Sequence, residues 1–374
     1  MLVSETHRSH PSDKIKIRAT LEEKFANLFD QSHYTTFFMI SRIIAKLKTV
    51  YKSVFKTNAI HYEVKEIRAY LKKIDNSQQE QQLKLEQQAA QKNIHTYAND
   101  PVPTFEGVTS QLCTFQQMLH PNYIQCIKTL CHPPFPIHSY MRKYWEFCYV
   151  LQAVSEKGAL KEGNTGLGFG VGLEPLSAAF VNKGCKITAT DLALDEAIEK
   201  GWAGADSMTQ HSQQLEDMNK AGICDPETFR KNCSFRVVDM NHIPNDLQDF
   251  DFTWSSCCLE HLGSIEAGLQ FIKNSLKCLK SGGIAVHTTE FNLSSAVETV
   301  DNHDTVLFRK LDILRLISDL ETEGHTVSPV TFNSGTQPED CYVDVPPYFK
   351  HNFHLKLLLG KYVTTSIGII IQKA

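Results

Sequence analysis

Four glycines at alternate positions, Gly166, Gly168, Gly170 and Gly172, are followed by Glu174-Pro175 and an apolar run with small residues to Val181. A backbone free of side chains can turn tightly and come close to a ligand, and a proline is accepted in the first turn of the helix that follows. Lys183-Gly184 stops that helix, and Cys185 to Thr190 alternates as a short strand that delivers Asp191 at its carboxyl end. Ligands of open α/β sheets bind outside the carboxyl ends of the strands, so the glycine turn and Asp191 are expected to face one crevice.

Two ligand classes use such a turn. The dinucleotide fingerprint needs its third glycine three residues after the second, whereas Gly168, Gly170 and Gly172 are spaced by two. No Tyr stands four residues before a Lys, the pairing expected of a short-chain dehydrogenase. The close GxGxG turn with an acid ending the next strand instead resembles the class I S-adenosylmethionine-dependent methyltransferases. The resemblance implies that Gly168, Gly170 and Gly172 admit the amino-acid end of the cofactor and that Asp191 accepts both ribose hydroxyls. That family often carries an acid two residues before the first of these glycines; here that position is Gly166.

Further motifs follow in the family's order. A strand from Ser234 to Val238 ends in Asp239-Met240, which the resemblance assigns to adenine: the carboxylate to its amine, the thioether to its ring. Phe250 to Ser256 reads as the fourth strand, with Ser256 beside the cofactor, and Leu259-Glu260-His261 comes next. Ser264 can cap a helix with apolar positions at Ile265, Leu269, Ile272, Leu276 and Leu279, closed by Gly282-Gly283. The segment Lys-Ser-Gly-Gly differs from the family's usual Lys-Pro-Gly-Gly by Ser281 alone. A helix from His138 to Val154 precedes the glycine strand, and the resemblance makes it a wall of the cofactor pocket, with Trp145 and Arg142 able to touch the cofactor. The resemblance spans 138 to 295.

The fifth strand, Ile284 to Thr289, leads to Glu290; a helix from Lys310 to Glu323 and strands at Thr326 to Phe332 and Tyr362 to Gln372 complete the pattern, the last as an antiparallel edge strand. Between those two strands lies an insertion rich in Tyr342, Tyr348, His351, His354 and Lys361, of the kind that shapes an acceptor pocket in related folds. The fold expected is therefore α/β: a seven-stranded, mostly parallel Rossmann-like sheet flanked by helices, with an N-terminal α-helical extension.

With 374 residues, 42% hydrophobic and 21% charged, the chain has room for one full domain plus an extension. A net charge of −4 offers no global attraction to nucleic acid. Eleven cysteines without a CxxC pair favour neither a zinc ribbon nor a disulfide framework, which points to the reduced cytoplasm. No secretory signal and no spanning stretch is recognised. A short helix is expected at 19–30. Residues 37–55 read as a basic amphipathic helix, able to pack on the protein or to touch a membrane surface. Ile60, Val64, Ile67, Leu71 and Ile74 form a 4-3 seam that predicts a homodimeric coiled coil. A polar Gln-rich helix follows it. The organisation expected is a helical extension over 1–98, a loop-rich bridge over 99–137 and the catalytic domain over 138–374.

A sulfonium methyl is already activated, so the protein must chiefly align the acceptor and exclude water. A hydroxyl acceptor must also lose its proton, for which His261 is the first candidate base and Glu290 the second. No Asp/His cluster has the spacing of a metal site, so metal-independent action is expected. The resemblance runs closest to bacterial methyltransferases of polysaccharide or secondary-metabolite pathways. It implies S-adenosylmethionine as cofactor and oxygen of a small molecule or glycan as acceptor. Two alternatives are a protein-directed methyltransferase that docks its partner through the N-terminal helices, and a cofactor-binding scaffold without catalysis.

Overall fold

The computed structural model describes residues 58–130, 140–199, 211–212, 214–351 and 353–374. The helices expected at 19–30 and 37–55 lie outside the described residues. The chain divides into two compact units, 1–78 and 79–374. One helix, α1 (Asn58–Gln91), covers both the 4-3 seam and the Gln-rich tract, and the seam side chains of Ile60, Val64, Ile67 and Leu71 are likewise outside the description. Among the described residues no helix is long and apolar enough to cross a membrane.

The stretch expected to be a loop-rich bridge holds regular structure: β1 (Ser110–Leu112), α2 (Phe115–Met118) and α3 (Pro121–Leu130). Prolines misled the reading here, because Pro121 opens α3 at its first position, where a missing N–H costs nothing. After β2 (Tyr140–Met141) and α4 (Arg142–Glu156) come β3 (Thr165–Phe169), α5 (Leu176–Asn182), β4 (Lys186–Asp191), α6 (Leu194–Glu199), α7 (Pro226–Asn232), β5 (Cys233–Val237) and β6 (Phe250–Ser256). Then follow α8 (Ile265–Lys277), β7 (Leu279–Asn292), α9 (Lys310–Thr322), β8 (Thr326–Val327), β9 (Val330–Thr331), α10 (Pro338–Cys341), β10 (Phe353–His354), β11 (Leu357–Leu359) and β12 (Tyr362–Gln372).

Strands β5, β4, β3, β6 and β7 lie side by side in that order and run parallel, and β12 pairs antiparallel along β7 from Thr364 opposite Asn292 to Gln372 opposite Ile284. The far edge of β12 is a composite of β8, β1 and β11. The single strand expected over Thr326 to Phe332 is broken there. Pro329 has no N–H to give the ladder, and its carbonyl instead accepts the Ser110 amide at 3.1 Å, which seats β1 in the gap.

Two cores flank the sheet, and strand periodicity sorts them. Phe252, Trp254, Val286 and Ile370 face one core with Trp145, Tyr149, Leu176 and Phe180 of α4 and α5. Leu167, Phe169, Ala285, Ile367, Ile369 and Ile371 face the other with Phe271, Leu276 and Leu316 of α8 and α9. Helix α8 starts where expected, its Ser264 hydroxyl accepting the Ala267 amide at 3.1 Å.

Candidate functional site

At the carboxyl end of β3 the chain turns through Gly170 (φ 57°) and Gly172 (φ 49°), a left-handed backbone that glycine adopts without strain. A Cβ at Gly170 would lie 2.9 Å from Cys258 Sγ and 3.3 Å from Met240 Sδ, so a side chain there would collide with Cys258 and crowd Met240. Gly168 and Gly166 serve another purpose. A Cβ on Gly168 would come within 2.3 Å of the Trp254 ring and one on Gly166 within 2.4 Å of the Phe252 ring; these two glycines make room for the core beneath the turn. The position where the family often carries an acid therefore has no space for one.

The Asp191 carboxylate ties the next strand to this turn. Its Oδ2 accepts the Gly172 amide at 3.0 Å and the Ser212 amide at 3.4 Å, and its Oδ1 accepts the Leu192 amide at 2.8 Å. Burial raises its pKa, and those amides oppose the rise. Ser212 is a contact that pattern reading missed. Glu174, two residues past the turn, is also buried; it accepts the Trp254 indole N–H at 2.5 Å, and burial pushes its pKa up to about 8.

The other residues expected from sequence are placed as follows. Met240 is buried with its sulfur over Gly170, while Asp239 accepts the Asn241 amide at 2.9 Å and meets His242 Nδ1 at 2.7 Å. Trp145, expected on a pocket wall, is instead a core residue with no exposed surface: its indole N–H donates to Gln117 at 2.7 Å and its ring stacks on Tyr149 at 4.8 Å. His261 sits half-buried against the following loop, with Nδ1 2.9 Å from the Asp304 carbonyl and 3.2 Å from the Thr305 hydroxyl.

Beside the turn, the α4 face of the sheet changes character toward its carboxyl edge. Trp254, Val286 and Ile370 give way, two residues at a time along each strand, to Ser256, Glu290, Ser366 and Thr364. The amino end of α4 lays cations over this stripe. Arg142 pairs with Glu290 and donates to the Ser366 hydroxyl at 3.1 Å, and that hydroxyl donates in turn to Glu146. Lys143 reaches Glu146 at 3.1 Å and the Ser256 carbonyl at 3.2 Å. Glu146 has no exposed surface. Burial alone would raise its pKa, but Lys143 and Arg142 outweigh that and hold the carboxyl below its ordinary value. At Glu290 burial wins and the pKa is raised, since Glu260 and Glu146 repel a second charge sharing the field of Arg142.

This charged cluster is incompletely bonded. Among the described residues, Ser256 Oγ, Glu290 Oε2, Arg142 Nε and Thr364 Oγ1 are buried without a hydrogen-bond partner. Buried polar atoms are nearly always paired, and these four, three along the stripe and one on the helix above it, leave hydrogen-bonding capacity unused there. Nothing local in the sequence announced it, apart from strands that turn from apolar to polar at their carboxyl ends.

Five parallel strands in the order β5-β4-β3-β6-β7, with an antiparallel β12 beside β7, form a Rossmann-like sheet. No family model and no curated protein matches the sequence. Solved structures similar to it include the 1,6-didemethyltoxoflavin-N1-methyltransferase of Burkholderia thailandensis with bound 1,6-didemethyltoxoflavin and S-adenosylhomocysteine, at 12% identity and TM-score 0.36, covering 59% of this chain and 75% of that one. An S-adenosylmethionine-dependent methyltransferase of Clostridium acetobutylicum is 12% identical at TM-score 0.34 and covers 60% and 89%. An O-methyltransferase family protein of Burkholderia thailandensis is 11% identical at TM-score 0.34 and covers 62% and 59%.

Proposed function

We propose that this chain transfers a methyl group from S-adenosylmethionine to an oxygen of a small-molecule or carbohydrate acceptor. The observation that carries the reading is the juxtaposition, along one sheet edge, of the glycine turn hydrogen-bonded to Asp191 and the incompletely bonded stripe around Arg142 and Glu290. The turn supports the cofactor half: Gly170 and Gly172 present left-handed backbone without side chains, Met240 flanks it, and Asp191 has the acceptor capacity for ribose hydroxyls. Glu174 is the nearby carboxyl available to the cofactor's ammonium group in place of the acid that Gly166 cannot carry.

When bound, the cofactor supplies a methyl group activated by its sulfonium charge. The residues of this chain have the remaining tasks of holding the acceptor, excluding water and receiving a proton. Glu290 and Arg142 offer a carboxylate oxygen and an N–H to acceptor hydroxyls. His261, anchored to the 304–305 loop, remains a candidate for proton transfer alongside Glu290. Self-association through α1 belongs to the same proposal, and light scattering on the full chain tests it.

Calorimetry with S-adenosylmethionine, followed by transfer of a labelled methyl group to pools of small molecules and proteins, tests the reading. Binding with transfer to a small hydroxylated molecule is the expected result. Transfer to protein alone would move the acceptor class, binding without transfer would make the chain a scaffold, and no binding would overturn the cofactor assignment.

A further inference from the structure

The insertion between β9 and β12 contains a second constellation. His354 Nδ1 lies 2.6 Å from Asp344 Oδ2, and the same carboxylate oxygen accepts the Phe349 amide at 3.0 Å. The acid has 1% of its surface exposed and the imidazole 8%. The imidazole is held from the side as well: the Phe349 ring stacks on it at 4.1 Å and the Tyr348 ring meets it edge-on at 5.8 Å. Among the described residues none bonds Nε2.

A buried carboxylate on one ring nitrogen keeps the proton there and leaves the lone pair of the other nitrogen available, which is how an imidazole is set up to take a proton. Packing alone would not need the acid, since a buried carboxylate is costly unless it has a task or full pairing.

The dyad also sits in the right place. β10, which carries His354, pairs with β2 so that His354 lies opposite Met141, the residue before Arg142. The Leu355 carbonyl accepts the Thr365 hydroxyl at 2.9 Å, fixing the insertion to β12. Tyr348, whose pKa burial raises, feels the charges of Asp344, Arg142 and Glu290 together. The groups against the imidazole itself are Asp344, Tyr348 and Phe349 of the insertion, and Tyr348 in turn lies within the electrostatic reach of Arg142 from α4 and Glu290 from β7. Lys356 is turned away, its ammonium donating to the Ser334 carbonyl at 2.8 Å.

Resting on the methyl-transfer reading above, we propose that His354, oriented by Asp344, is the base for this reaction and that the acceptor is therefore a hydroxyl compound. The acceptor O–H bond breaks and its proton goes to His354 Nε2. The oxygen's electron pair forms the new C–O bond to the methyl carbon as the donor's C–S bond breaks, and the sulfur leaves as a neutral thioether. An alcohol needs such a base at the moment of attack because its neutral oxygen is a poor nucleophile. His354 thereby takes the proton-accepting role in place of His261 and Glu290, and Glu290 and Arg142 hold the acceptor.

The test is made on the full-length chain labelled with nitrogen-15 in its imidazoles. Long-range proton–nitrogen spectra from about pH 5 to about pH 9, with His354→Gln for assignment, read the tautomer directly. The expected result is a neutral ring bearing its proton on Nδ1 near neutral pH, and loss of that preference in Asp344→Asn. A proton on Nε2, or a ring still doubly protonated at the alkaline end, overturns the proposal. Calorimetry with S-adenosylmethionine on the same wild-type sample separates the two claims: no binding defeats the methyl-transfer reading, whereas binding with the wrong tautomer defeats the dyad alone. Where methyl transfer to a deproteinised metabolite pool is measured, His354→Gln should fall about 10²–10⁴-fold with cofactor affinity kept and the pH profile altered. A rate within about threefold of wild type overturns the base assignment.

Discussion

Asp191 Oδ2 lies 3.0 Å from the amide nitrogen of Gly172, so the acid ending β4 and the glycine turn ending β3 form one hydrogen-bonded unit. The acid both shapes the turn and offers acceptor capacity to a ligand. Asp191→Ala is expected to leave the domain folded and to weaken S-adenosylmethionine by roughly 1–3 kcal/mol, the cost of leaving hydroxyls unpaired from a charged acceptor. Calorimetry checks this; unchanged affinity in a folded variant would refute the assignment.

The glycines should separate into two kinds on substitution. Gly168→Ala drives a methyl into the Trp254 ring and is expected to lower stability by roughly 1–3 kcal/mol, the scale of overpacking a filled core. Gly170→Val should block the cofactor, because its side chain would displace Cys258 and Met240 and strain the left-handed turn at φ 57°. Chemical denaturation reads the first and cofactor titration the second. A Gly170→Val protein that folds and binds normally would show the turn to be misassigned.

Glu174 predicts an alkaline weakness. Its folded-state pKa is raised by burial from 4.5 to about 8. A raised carboxyl pKa contributes stability that is complete below the unfolded value and is lost as pH climbs through the folded one. The loss therefore falls between 4.5 and about 8, and Glu174→Gln should remove it. Melting temperatures of both proteins across that window decide the matter; parallel curves would mean that Glu174 is not buried as described.

His287 predicts the opposite behaviour in acid. It is enclosed between the Ser255 hydroxyl at 2.7 Å and the Ser275 hydroxyl at 3.1 Å, and burial lowers its pKa from 6.5 to about 3. For a depressed pKa the stability contribution is present above the unfolded value and fades as pH falls toward the folded one. Acid unfolding should therefore gain a component between 6.5 and about 3 that His287→Gln lacks, measured by fluorescence of the buried tryptophans.

Truncation should distinguish two boundaries. Removing residues 1–78 leaves the second compact unit whole and should leave it folded. Removing 1–98 takes away Gln87, which donates to the Val343 carbonyl at 3.0 Å, the buried Ala90 and the His95 amide bonded to the Leu293 carbonyl at 2.8 Å. The shorter chain is expected to melt several degrees lower, since about 1 kcal/mol shifts a domain of this size by roughly 2–4 °C. Equal melting temperatures would make residues 79–98 dispensable.

Much of the fold was legible in the sequence because its signals are short-range. The turn at Gly170 and Gly172, the acid ending β4, the Ser264 cap on α8, the strand Phe250–Ser256 and the strand Tyr362–Gln372 each rest on residues that act on near neighbours. Tertiary structure alone decided the rest. It put β1 into the sheet where Pro329 leaves a gap, packed Trp145 into the core, and joined Arg142 to Glu290 and Asp344 to His354. Such pairs leave no periodicity to read, because what brings them together is the burial of the sheet's two faces, and the partners' separation along the chain carries no trace of it.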